Sequence, residues 1–164
     1  MNNKVLRNLS YGMYILGTRK DRNVGCIVNT AFQITSEPPT IAVSVNHDNY
    51  TNQIIKQTNK FSLSILKEKT KPLIIGKFGY RTSKEIDKFK DEDFIMLEDV
   101  PVIKDNCGYI ICKVINIMES ATHTVFLGEI IDMDNYEETS PIAAAEPSQD
   151  AGRQRRQSSE NPER

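Results

Sequence analysis

Apolar and polar positions alternate most clearly over residues 24–46, VGCIVNTAFQITSEPPTIAVSVN. Val24, Cys26, Val28, Phe32 and Ile34 fall on one face at period two, interrupted at Thr30. Gly25, Asn29, Ala31, Gln33 and Thr35 occupy the other face, spoiled by Ile27. After Pro38-Pro39 the pattern resumes, with Ile41, Val43 and Val45 set against Thr40, Ala42, Ser44 and Asn46. Successive side chains of a strand point to opposite faces. The window therefore predicts two strands divided at the proline pair, each with an apolar face and a small polar one.

The same reading extends along the chain. Residues 4–9 predict a short helix, residues 12–18 a strand, and residues 19–23 a hairpin loop. Asn49 or Thr51 caps a short helix whose inward side is Ile54 and Ile55. Phe61, Leu63 and Ile65 alternate with Ser62 and Ser64 in a further strand, and Pro72 opens a helix bearing Leu73, Ile74, Ile75 and Phe78. Residues 80–93 read as a charged loop anchored by Ile86 and Phe89. Residues 94–103 read as short extended chain in which Pro101 argues against a central strand. Two long apolar strands follow at 109–118 and 123–133, joined by a turn at 119–122. Long neighbouring strands, few helices and no βαβ alternation predict a mostly β domain, an antiparallel barrel or sandwich, over residues 1–136.

At residue 137 the character changes. Residues 137–164 hold one large aliphatic side chain, Ile142, and no aromatic. Such a segment cannot bury enough surface to offset the entropy of ordering, so a disordered, dispensable C-terminal tail is expected. Its basic run at 153–156 lies among acids and reads as solvated chain.

Composition then narrows the chemistry. Charged residues make up 26% of the 164 residues, yet Glu37 is the one charge in the 24–46 window. The formal net charge of −1, with both signs interspersed, gives no expectation of nucleic acid or of a membrane surface as partner. No apolar run approaches ~18 residues and no signal-type leader opens the sequence, so a cytoplasmic protein is expected. Three cysteines and two histidines form neither a disulfide framework nor a metal set, and Cys26, Cys107 and Cys112 are expected to be buried small apolar groups. The usual hydrolase, NTPase and Rossmann motifs are missing. An enzyme of this composition would draw its reactive atom from a cofactor.

A face of Gly, Asn, Ala, Gln, Ser and Thr suits a flat polar ring such as a flavin. Small side chains let an isoalloxazine approach the backbone. Amides and Asn or Thr side chains can donate to its N1 and C2-oxygen edge, where negative charge gathers on reduction. The helix start at residues 49–51 offers amides and hydroxyls to a phosphate. Contact of the same faces with a second subunit or with water is the competing reading.

The segments LSYGMYIL, GCIVNTAFQITSEPPTIAVSVN, NYTNQII, GYRTSKEIDKF and THTVFLGEIID, in that order, resemble the flavin reductase-like, FMN-binding split-barrel family. Within it the chain is most similar to the flavin domains of flavoredoxins and high-molecular-weight rubredoxins, without the CxxC pairs of a rubredoxin module. The resemblance implies a six-stranded antiparallel Greek-key split barrel and a homodimer with FMN near the subunit interface. It also implies electron exchange with NADH, NADPH or a redox protein such as a rubredoxin. Carried onto this sequence, Asn29, Thr30, Ala31 and Gln33 line the isoalloxazine, with Thr30 contributing its amide. Thr35, Ser36, Ser44, Asn46, Asn49 and Thr51 lie along the ribityl–phosphate end. Arg81, Ser83, Lys88 and Phe89 approach the flavin or the neighbouring subunit, and His123 stands on the nicotinamide side. Alternatives are an FMN electron carrier that does not turn over nicotinamide, and a flavin-free dimeric β-barrel interaction module. Family members usually continue past the GEIID strand into a Tyr-rich apolar segment, which this chain replaces with the polar tail.

Overall fold

The computed structural model describes residues 1–136 and 141–142. A 3-10 helix at Asn3–Asn8, with no buried residue, precedes β1 (Tyr14–Arg19) and β2 (Asn23–Val28), which form the expected hairpin with Arg19 opposite Asn23. The window read as one strand before the proline pair is two strands. The chain leaves β2 at Val28, and β3 (Ala31–Ser36) pairs with a different neighbour, β4 (Pro39–Asn46). The break falls at Asn29-Thr30, where the apolar alternation also lapses.

Helix α1 (Tyr50–Thr58) is capped by Asn49, whose side chain accepts the Thr51 N–H, and it buries Ile54 and Ile55. Strand β5 (Lys60–Ile65) follows, then α2 (Pro72–Tyr80) with proline in its first turn. The loop after α2 leads to a small hairpin, β6 (Phe94–Leu97) and β7 (Val100–Ile103). Its two turn residues, Glu98 and Asp99, have φ of 47° and 64°, the left-handed pair that a two-residue hairpin needs. Pro101 is tolerated because a two-stranded ribbon has only edges. Strands β8 (Gly108–Glu119) and β9 (His123–Asn135) complete the fold.

Among the described residues the main sheet has seven antiparallel strands in the order β2-β1-β5-β8-β9-β4-β3, not the six expected, and its two ends are not hydrogen-bonded into a closed barrel. The extra strand arises from the split at Asn29-Thr30. Side chains close the gap instead. Cys26 and Val28 of the edge strand β2 share one core cluster with Ile41, Val43 and Val45 of β4, the strand next to the other edge, joined by Leu16, Ile55, Phe61, Leu63 and Phe126. Each large aliphatic buried in this way contributes roughly 1.5–3 kcal/mol. The serines of β5 are buried too: Ser62 Oγ donates to the Pro101 carbonyl at 2.5 Å, and Ser64 Oγ accepts the Ile103 N–H at 3.1 Å. The β6–β7 hairpin thus covers the face that alternation alone left to solvent.

A second cluster, Ile15, Leu66, Ile74, Phe78, Phe89 and Ile103, seats α2 and its loop on the sheet. The Phe89 ring meets Phe78 and Phe94 edge-on, with centroids 5.0 and 5.4 Å apart. Gly25 permits this close seating, since a Cβ there would lie 2.9 Å from the Leu16 carbonyl oxygen and 3.0 Å from the Phe89 ring. The expected tail lies outside the described residues except at Pro141 and Ile142. Pro141 bridges to Lys67, and the Ile142 N–H donates to the Leu66 carbonyl at 2.8 Å. No helix among the described residues is long and apolar enough to cross a membrane.

Candidate functional site

The break at Asn29-Thr30 opens the sheet beside the start of α1, and three adjoining cavities follow it. The first, about 270 Å³, lies between the β4–α1 turn (Asn46, Asp48, Asn49) and the end of α2 with its loop (Gly79, Tyr80, Arg81, Thr82). The second, about 360 Å³, shares Asn46 and Asn49 with the first and adds Asn29, Ser44 and His123 over a floor of Met13, Ile27, Val28 and Val45. The third, about 650 Å³, shares Asn29 with the second and continues past Thr30, Ala31 and Phe32 to Tyr11, Tyr14 and the Pro141–Ile142 contact. Together they form one groove that is apolar at its base and lined mostly by uncharged hydrogen-bonding groups, with Asp48 and Arg81 at its first end.

Local hydrogen bonding holds these groups in place. Thr30 Oγ1 donates to Asn29 Oδ1 at 3.0 Å, and the Thr30 carbonyl accepts the Ser44 N–H at 3.0 Å, which ties the break to β4. Asn46 and His123 face each other across β4 and β9, and the His123 ring nitrogen Nδ1 is 2.8 Å from Thr122 Oγ1. Behind them, Asn52 Nδ2 donates to the Val45 carbonyl and to Thr124 Oγ1, and Thr124 Oγ1 also donates to Glu119 Oε2 at 3.0 Å. Glu119 bonds Lys56 at 2.6 Å and His47 at 3.0 Å. The Lys56 ammonium, foremost, holds its carboxyl below the usual range. The β8–β9 turn is thereby pinned to α1.

Of the residues expected from sequence, Asn29, Thr30, Ala31, Ser44, Asn46, Asn49, Arg81 and His123 line the groove. Arg81 has no hydrogen-bond or ion-pair partner among the described residues and stands at the outer end of the first cavity. The other expected residues lie elsewhere. Thr35 bonds Thr40 Oγ1 and the Pro38 carbonyl in the β3–β4 turn, and Ser36 sits within reach of Gln33 Nε2. Gln33 borders a separate apolar cavity beyond Ala31. Ser83 is buried in the joint between loop and sheet, its Oγ donating to the Gly25 carbonyl and accepting the Gly25 N–H. Phe89 belongs to the second core.

Thr51 and Lys88 are buried beneath the groove. Lys88 is 2% exposed, donates to the Phe78 carbonyl at 3.0 Å, and has its pKa lowered by desolvation. Thr51 Oγ1 is buried without a nitrogen or oxygen partner. Both face Cys26: burial pushes its thiol up to about 11, against smaller opposing effects of Thr51, Lys88 and Asn49. All three cysteines are buried and free. Sequence reasoning missed Met13, Ile27, Asp48, Gly79, Tyr80 and Thr82. None has a pattern that marks it, because a lining residue is defined by which elements approach it.

The sequence profile of the flavin reductase like domain matches residues 6–148. The chain belongs to that family. It is 37% identical over 135 residues to the high molecular weight rubredoxin of Moorella thermoacetica, a match covering 80% of this chain and 59% of that protein. It is 33% identical over 149 residues to a ferric-chelate reductase (NAD(P)H) of Archaeoglobus fulgidus, covering 89% of this chain and 88% of that one. Among solved structures, flavin reductase PheA2 in its native state superposes with a TM-score of 0.73 at 26% identity, over 87% of this chain and 93% of that one. The chain thus spans nearly all of one curated relative and about three-fifths of the other.

Proposed function

We propose that this chain is an FMN-binding flavin reductase that takes electrons from NADH or NADPH and passes them to free flavin or a downstream acceptor. The observation that carries the reading is the groove itself. It is a long slot lined mostly by uncharged hydrogen-bonding side chains, with Arg81 at one end, which has no partner among the described residues, and small residues at the sheet break in its middle. A bound flavin would supply the two-electron chemistry, accepting hydride from the nicotinamide at N5. The residues present fit such a group. Arg81 and the α1 start, capped by Asn49, suit the phosphate, since helix N-termini favour anions. Ser44, Asn46 and Asn49 suit the ribityl hydroxyls. Asn29, Thr30 and Ala31 offer donors and close backbone approach to the ring. His123, fixed by Thr122, borders the middle of the groove, where it can bound the space for a nicotinamide. No side chain is required as general acid or base; alignment is what the protein supplies.

FMN, with a single phosphate, matches a first cavity whose lining holds a single cation, Arg81. A homodimer is supported by apolar side chains left exposed on the edge strand β3 (Phe32, Ile34) and at the tip of the β8–β9 ribbon (Ile115, Ile117, Met118). A separate rubredoxin-like redox protein is a fitting acceptor, given the relative from Moorella. The cytoplasm is the compartment that three free thiols and a nicotinamide donor suit.

A visible spectrum of the purified protein, followed by anaerobic addition of NADH and then NADPH, tests the reading. Bound-flavin absorbance near ~450 nm that bleaches at a catalytic rate supports the reductase. Stable colour that neither nucleotide bleaches would mark an electron carrier. Colourless protein that takes up no added FMN would overturn both.

A further inference from the structure

Beyond Ala31 the groove abuts a cavity of about 430 Å³ that the flavin reading leaves unused. Tyr14, Ala31 and Phe32 belong to both this cavity and the third part of the groove. The remaining walls are apolar side chains such as Ile41, Leu63, Ile110 and Ile130, turned toward the interior of the curved sheet, with Met133 and Gln33 at the mouth. Its size falls within the usual range of small-molecule sites, roughly 300–1,000 Å³.

One half-buried polar group stands at this junction. The Tyr14 hydroxyl has no hydrogen-bond partner among the described residues. It packs over Gly12, where a Cβ would fall 2.2 Å from the hydroxyl oxygen, so glycine is what lets the ring lie there. The phenol is protonated at neutral pH and able to donate, and desolvation raises its pKa further above the ordinary value. A phenol donor set in an apolar wall selects a ligand that is flat and apolar but carries an acceptor oxygen.

We infer that this cavity is the acceptor subsite, binding a planar aromatic carbonyl compound of the quinone class with its carbonyl oxygen on the Tyr14 hydroxyl and its ring between Ala31 and the aliphatic wall. The inference deepens the proposed function and rests on it. Two electrons and two protons convert such a quinone to its hydroquinone: each carbonyl becomes a hydroxyl, NAD(P)H is oxidised to NAD(P)+ as the net donor of hydride, and solvent supplies the second proton. A second copy of the chain is the other candidate occupant. It suits the more exposed apolar side chains of the β3 edge and the β8–β9 tip, such as Ile34, Ile117 and Met118.

The test is calorimetric titration of the flavin-loaded protein with 2,3-dimethyl-1,4-naphthoquinone, which has no free ring position for thiol addition, and with 2,3-dimethylnaphthalene, which lacks the carbonyls. The quinone is expected to bind once per chain and several-fold more tightly than the hydrocarbon. Tyr14→Phe should remove that preference, weakening the quinone about three- to tenfold and leaving the hydrocarbon unchanged. Met133→Trp, at the mouth, should weaken both probes while NAD(P)H bleaching of the flavin persists. Equal affinity for the two probes, or an unchanged quinone affinity in Tyr14→Phe, would overturn the assignment. So would absence of binding with a shift in sedimentation in Met133→Trp, which would give the cavity to a second copy. Protein that holds no flavin yet binds the quinone through Tyr14 would sink the proposed function and leave the subsite standing.

Discussion

Strands β2 and β3 follow one another with two residues between them and share one apolar period, yet the molecule uses them in opposite ways. In β2, Val24, Cys26 and Val28 are all buried, because α1 and α2 pack against that strand and β1 flanks it. In β3, Phe32 and Ile34, on the same nominal face, are 55% and 47% exposed. Strand β3 is an edge of the sheet, and among the described residues it pairs with β4 alone. Alternation therefore reports that a strand has two different faces. What covers each face is decided by neighbours distant in sequence. The two residues at the junction, Asn29 and Thr30, belong to neither regime, and that is where the groove opens.

This contrast can be broken directly. Val28→Asp should destabilise the protein by several kcal/mol, enough to unfold it under mild conditions, since an unpaired charge is forced into the core. Ile34→Asp should change the monomer's unfolding free energy from urea titration by no more than about 0.5 kcal/mol while dissociating the proposed dimer. Equal losses in the two variants would show that β3 is as buried as β2 within one chain.

At the junction, Asn29→Leu should weaken flavin retention about tenfold, or ~1.4 kcal/mol, through a lost donor and an intruding side chain. Ser36→Ala, at the far end of β3, should leave flavin affinity unchanged by equilibrium dialysis. The reverse ranking would move the ring toward the β3–β4 turn. Truncation sharpens the same boundary from the other side. Removal of residues 143–164 should leave the melting temperature nearly unchanged. Removal from residue 137 also strips the Ile142 contact with the second core and should lower it by a few degrees.

The smallest effect concerns the turn network. Because the Glu119 carboxyl is held below its ordinary value of 4.5, foremost by Lys56, it is a group whose folded pKa is depressed. Its stabilising contribution is present above that ordinary value and is lost as pH falls through the lower, folded one. Glu119→Gln should therefore flatten the decline of melting temperature below about pH 4.5, with little change at pH 7. An unaltered acid limb would show that the network adds nothing to stability.

Much of the fold was legible because local rules governed it. Asn49 as a cap, Pro72 at a helix start and the turn between β8 and β9 each follow from residue chemistry within a few positions. Part of the groove was legible for a related reason: Asn29, Ser44 and Asn46 lie in a charge-poor window, and an uncharged polar face on a charged protein is unusual, whereas His123 followed from the family resemblance of its own segment. The loop after α2 was harder. Arg81, Ser83, Lys88 and Phe89 share one segment, but one reaches the groove while three are buried in the joint that seats the loop on Gly25 and Phe78.

By itself the sequence determined the strands, the caps, the antiparallel β class and the family, because period, turn chemistry and motif order are local properties. Only the tertiary structure decided that one predicted strand is two, that the sheet stays open with seven strands, and that the small hairpin buries Ser62 and Ser64. It also decided which polar groups converge on a single groove. Coverage and convergence depend on which distant elements pack together, and the alternation of side chains along one strand carries no information about its neighbours.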